Sequence, residues 1–102
     1  MGYNVMRTVF CRKSEPKMCV NNALPSDYKT LDEFLCSLSY KKDRKEMYIP
    51  AMDEVCTFDD MQITEQGPFT IIKLSNVRTV NPWYYNQFDT VSLFWYKEKV
   101  KK

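Results

Sequence analysis

Histidine is absent from this sequence of 102 residues, and glycine occurs only twice, at Gly2 and Gly67. Without an imidazole, Ser–His and Cys–His nucleophiles, His general bases and His-ligated zinc are all excluded. Two isolated glycines cannot bring a backbone against a phosphate, so P-loop and dinucleotide fingerprints are excluded as well. Long apolar runs are also lacking. No apolar window of about 18 residues exists, and the opening "MGYNVMRTVFCRK" holds no run of signal-peptide length. Met6 stands where a myristoylation motif needs Ser or Thr, and no Asn-x-Ser/Thr sequon occurs. The expectation is a chain with no membrane partner and a cytoplasmic location, the host's cytoplasm if the source is viral.

A large surplus of either charge is lacking too. Fifteen bases against 13 acids leave a net charge of +2, too little to imply a polyanionic partner by itself. The bases are mostly lysine, a usage that fits AT-rich coding such as that of a phage or mobile element. The four cysteines, Cys11, Cys19, Cys36 and Cys56, have no Cys-x-x-Cys knuckle, so neither zinc nor another cofactor is expected. With no export signal, four free thiols are expected rather than a disulfide framework. Cys11 is the one candidate for a reactive thiol, because Arg12 and Lys13 follow it. Neighbouring strand residues face opposite ways, however, which undercuts the pairing.

The length fits one domain, residues 1–102, with 98–102 as a basic tail expected to be disordered. Apolar content of 44% and a high aromatic share supply enough material for one core. Residues 3–12 read as an interior strand, because neither of their alternating faces is cleanly polar. Pro16, Asn21, Asn22 and Pro25 mark 13–27 as a connector, with a short pairing around Met18–Val20. A helix is predicted over 31–43. Thr30 and Glu33 form a capping box, Leu31, Phe34, Leu35 and Leu38 make an apolar stripe, and Lys41, Lys42, Arg44 and Lys45 suit the negative end of the dipole.

Pro50 confines a strand at 47–49 to an edge. Val55–Phe58 and Met61–Thr64 read as short strands, with Asp59-Asp60 as a tight turn between them. Phe69–Val80, bent near Ser75-Asn76, pairs with Thr90–Lys97 as a hairpin whose long tip is 81–89. The fold class is therefore α+β, an antiparallel sheet of about four to five strands with one helix on one face.

Two clusters carry the functional reading. Asp53, Glu54, Asp59 and Asp60 lie in a base-free stretch between Glu46 and Ile72. Their spacing matches no known cation loop, so they read as a solvated loop or as an acidic patch that docks a basic surface. The segment "NPWYYNQFDT" places Trp83, Tyr84, Tyr85 and Phe88 at the hairpin tip, with Tyr96, Lys97 and Lys99 further on. Trp95 and Phe88 suit a small core. Three consecutive rings at 83–85 cannot all point inward, so at least one is expected on the surface.

Exposed Trp and Tyr are the residue types of interface hot spots. The leading expectation is a small non-catalytic intracellular binding protein of phage- or mobile-element type, one that occupies or inhibits a host defence protein. Self-association through the aromatic tip belongs to the same reading. Two alternatives stay open: a single-stranded nucleic-acid binder that stacks bases on the tip beside Lys97, Lys99, Lys101 and Lys102, and a protein that sequesters a nucleotide-like ligand.

Overall fold

A computed structural model describes residues 3–25 and 31–96. In chain order the elements are β1 (Tyr3–Cys11), β2 (Met18–Pro25), α1 (Leu31–Ser37), β3 (Glu46–Ile49), β4 (Glu54–Thr57), β5 (Asp60–Gln66), β6 (Phe69–Thr79) and β7 (Gln87–Tyr96). The strands form one seven-stranded sheet in the order β2-β1-β7-β6-β4-β3, with β5 also paired to β6, and every pairing is antiparallel. The architecture is α+β with one helix among the described residues, as the sequence predicts.

The sheet is larger than the four or five strands expected. Part of the excess is β2, whose full length pairs with β1 from Phe10↔Met18 to Tyr3↔Pro25. The prolines and asparagines that suggested a connector are tolerated because β2 lies at the border, where Pro25 ends the strand and its missing N–H is not needed. The turn itself occupies 12–17.

Asp59-Asp60 does not form a tight turn. Thr57 faces Arg78 and Asp60 faces Ser75, so β4 and β5 run along one flank of β6 in a single register. At the row between them the sheet bends. Asn76 takes a left-handed φ of 54°, and the buried positions of β6 shift from Thr70, Ile72 and Leu74 to Val77 and Thr79. The same change of parity separates Val91 from Phe88 on β7. Strand side chains alternate with a period of two, so one residue out of extended conformation exchanges the faces on either side of it. The predicted bend near Ser75-Asn76 is this row.

The helix ends six residues earlier than its predicted limit. Ser39 is left-handed, with φ 57°. Its N–H donates to the Cys36 carbonyl at 3.0 Å, and the Tyr40 N–H donates to the Leu35 carbonyl at 3.1 Å. This is a Schellman closure, with serine where glycine is usual. Lys41, Lys42, Arg44 and Lys45 therefore belong to the turn leading into β3 rather than to the helix. Thr30, half of the predicted capping box, lies outside the described residues.

Phe34, Leu35 and Leu38 are buried, and Phe34 stacks on Trp95 in β7. They cover a sheet face built from Phe10, Ile72, Leu74, Val91 and Leu93. Beyond the bend the core continues through Met47, Ile49, Cys56, Phe58, Val77 and Phe88. Among the described residues, no helix is long and apolar enough to cross a membrane.

Candidate functional site: the aromatic hairpin tip

β6 and β7 close at Arg78↔Gln87, and residues 80–86 form the tip between them. The tip is held by its own polar groups. The Thr79 hydroxyl donates to the Tyr84 carbonyl at 2.7 Å and accepts the Asn86 N–H at 2.8 Å, while the Thr79 N–H donates to the Asn86 carbonyl at 3.0 Å. Asn81 Oδ1 accepts the Trp83 N–H at 2.9 Å, which is an Asx turn, and the Asn81 carbonyl accepts the Tyr84 N–H at 3.2 Å. Asn86 Nδ2 donates to the Tyr84 hydroxyl, and the Tyr85 hydroxyl donates to Gln87 Oε1. Backbone needs met inside the loop leave its rings free to face outward.

The neighbouring strand β4 and the β1–β2 turn brace this loop. The Val80 N–H donates to the Val55 carbonyl of β4 at 2.9 Å. Arg12, from the β1–β2 turn, donates to the Gln87 carbonyl at 2.9 Å and to Asn86 Oδ1, and its guanidinium lies 4.2 Å from the centroid of the Phe88 ring. Arg12 also pairs with Glu15 at 3.0 Å. The guanidinium is thus committed to the tip and to Glu15.

Trp83 is 93% exposed, Tyr85 66% and Tyr84 40%. Val80 and Val55, joined by the hydrogen bond above, add exposed aliphatic surface at the same end of the sheet. Tryptophan is among the more buried residue types on average, so a nearly fully exposed one on a braced loop is informative. Val55 and Val80 escape sequence reading because strand alternation alone does not say which face is covered.

The other predicted site residues divide. Phe88 is 3% exposed and packs on Phe10 with centroids 4.9 Å apart, so it belongs to the core and not to the exposed tip. Tyr96 closes the opposite end of β7, about 30 Å from the tip at the rise of a β-strand. Lys97, Lys99, Lys101 and Lys102 lie outside the described residues.

The acidic residues have different partners. Asp53 occupies the β3–β4 turn with φ 56° and accepts the Tyr48 hydroxyl at 2.5 Å. That bond holds the Tyr48 proton, and the phenol pKa is raised above its ordinary value. Glu54 Oε2 accepts from Asn81 Nδ2 at 3.4 Å, which puts this acid beside the tip. Asp59 sits at the bend, where it accepts from Asn76 Nδ2 at 2.9 Å and pairs with Arg78 at 3.2 Å. Both bonds, the Asn76 one foremost, hold its carboxyl below the usual range. Asp60 is exposed at the start of β5. Among the described residues, no group of three or more Cys, Asp or Glu side chains is arranged to hold a metal ion.

All four thiols are free, and Cys19 and Cys36 are exposed. Cys56 is buried, and burial followed by the Glu54 charge pushes its thiol up to about 12. No family model matches this chain, and neither the curated proteins nor the solved structures contain a match to it.

Proposed function

We propose that this chain is a non-catalytic intracellular binding protein that occupies another protein, with the hairpin tip as its contact surface. Trp83 anchors the contact, Tyr85 and Tyr84 flank it, and Val80 and Val55 extend its apolar area. The observation that carries this reading is the 93% exposure of Trp83 on a loop braced by its own hydrogen bonds. A large ring held in place before contact loses little entropy on binding, which is how hot-spot residues gain affinity. Inhibition of a host enzyme or defence protein is the form of occupancy that the chain's size and composition suit.

Stacking of nucleic-acid bases fits the tip less well. Arg12 is committed to Glu15 and to the loop, and Arg78 is paired with Asp59. Glu54 places an acid beside the rings, where it would repel a phosphate.

Affinity capture with wild-type protein and with Trp83→Ala tests the reading. The variant is expected to keep its circular dichroism and melting temperature. It should bind the captured protein about 2 kcal/mol more weakly, roughly thirtyfold in Kd, as hot-spot truncations do. Equal binding by the two proteins overturns the assignment. Affinity for single-stranded DNA that falls steeply with salt would favour the nucleic-acid alternative instead.

A further inference from the structure

The helix covers one face of the sheet, and no other helix among the described residues covers the opposite face. Register defines that open face, because directly opposed residues of an antiparallel pair share a side. Thr8, Leu93 and Ile72 form a row buried on the helix side. The rows flanking it therefore point the other way: Arg7, Phe94 and Ile71 in one, Val9, Ser92 and Lys73 in the other. Phe69, two residues before Ile71, joins them and meets Phe94 edge to face, with centroids 6.2 Å apart. Phe69 is exposed, and Phe94, Ile71 and Val9 are half-buried.

Around Phe94 the charge on this face is of one sign. Arg7 and Lys73 are exposed, β1 and β6 contain no Asp or Glu, and the one acid of β7, Asp89, lies at the bend. Asp60 of β5 shares the face but stands opposite Ser75, beside the bend. Strand spacing and rise put Arg7 and Lys73 about 12 Å apart, on opposite sides of the strand that carries Phe94.

We propose that this face binds a single-stranded nucleic acid, with a base stacked at Phe94 beside Phe69 and Ile71, and phosphates held by Arg7 and Lys73. Rings on the central strands of an uncovered sheet, with cations beside them, match what an unpaired strand presents: a π-face on every base and a charge on every phosphate. Arg7 has five N–H donors, so it can meet a phosphate and keep an internal bond. A duplex holds its bases inside the stack, where a flat face cannot reach them. Phe94 lies about 24 Å along β7 from Gln87 at the rise of a strand, so this site is separate from the aromatic tip and does not rest on that reading.

Two phosphate contacts imply weak binding with a log–log salt slope of about −1.4, shallower than a basic groove gives. The contacts involve bases and phosphates and not the sugar, so a DNA strand serves as the probe. Fluorescence anisotropy of a labelled oligothymidylate of about ten nucleotides, within the usual site size, reads affinity and slope. Phe94→Leu keeps an apolar side chain but removes the ring face, and is expected to weaken binding about fivefold or more at unchanged melting temperature. Lys73→Gln, at an exposed position, should reduce the slope to about −0.7, and it decides the matter by itself if Phe94→Leu does not fold. Trp83→Ala should bind as the wild type does, and a duplex of the same length should not compete. The proposal is overturned by no binding at about 50 mM salt, where phosphate contacts are strong. Wild-type affinity in folded Phe94→Leu, an unchanged slope in Lys73→Gln, competition by the duplex, or loss of binding in Trp83→Ala would each overturn it too.

Discussion

Phe34 of the helix and Trp95 of β7 stack face to face, with ring centroids 4.4 Å apart and planes 2° from parallel. This contact fixes the short helix on the centre of the sheet, and Leu35 and Leu38 are buried beside it. Leu38→Ala is expected to cost on the order of 2–5 kcal/mol, the range for a buried leucine truncated where the surroundings cannot collapse. A urea titration checks this. A shift below about half a kcal/mol would mean that the helix is not packed as described.

Ser39 pays for its left-handed φ of 57° with a steric cost that glycine would avoid. Ser39→Gly is expected to stabilise the fold by about 1 kcal/mol, since the Schellman closure prefers glycine at this position. The measurement is the denaturation midpoint at unchanged slope. A destabilised variant would show that the serine side chain makes a contact worth more than the strain.

Thr8 is fully buried, and among the described residues its hydroxyl has no hydrogen-bond partner. Thr8→Val keeps the shape and removes the orphaned group. It should raise stability by about 1 kcal/mol, the lower end of the penalty for an unsatisfied buried polar atom. A loss of stability on calorimetry would reveal a partner for that hydroxyl.

The buried thiol sets a pH limit. Cys56 titrates at about 12 in the folded chain against 9.0 as the ordinary value. The folded state holds the proton more tightly, so this contribution to stability is complete below pH 9.0 and is lost as pH rises towards 12. Melting temperature should therefore fall on the alkaline side more steeply for wild type than for Cys56→Ala. Native alkylation should label Cys19 and Cys36 quickly and Cys56 only after unfolding. Rapid labelling of Cys56 in the folded protein would contradict its burial.

Trp83 and Trp95 should separate cleanly in fluorescence. In Trp95→Phe, the remaining Trp83 is expected to emit at long wavelength and to be quenched freely by acrylamide, as its exposure requires. In Trp83→Ala, Trp95 should emit to the blue and resist quenching. A blue-shifted, protected Trp83 would place the tip in contact with something, and dilution would show whether that is a second copy.

Much of the local structure is legible in the chain. The alternation in Phe69–Val80 and Thr90–Lys97 predicts the hairpin, and the stripe Leu31, Phe34, Leu35 and Leu38 predicts the helix. Asn81-Pro82 and Asn86 place three consecutive rings in a loop. The misreadings share one physical cause. Phe88 looks like part of the tip because it lies near Trp83 in sequence, but the parity change around Asn76 turns it inward against Phe10. Asp59-Asp60 resembles a turn because charged pairs favour turns, yet β6 offers a ladder on both sides of it, and the chain only bends at Asp59 before pairing resumes at Asp60.

The sequence by itself determined what needs only composition and short spacing. It excluded histidine-dependent and glycine-loop chemistry, set the α+β class through its periodicities, and placed the aromatic rings at a chain reversal. The tertiary structure alone decided which strands are neighbours, that seven of them share one sheet, and which of Trp83, Tyr84, Tyr85 and Phe88 remain in water. Those outcomes depend on pairing between residues distant in the chain and on a single left-handed asparagine that exchanges the faces of adjoining strands. The local pattern marks a bend near Ser75-Asn76 but not which faces it leaves covered, because burial is a property of the assembled sheet.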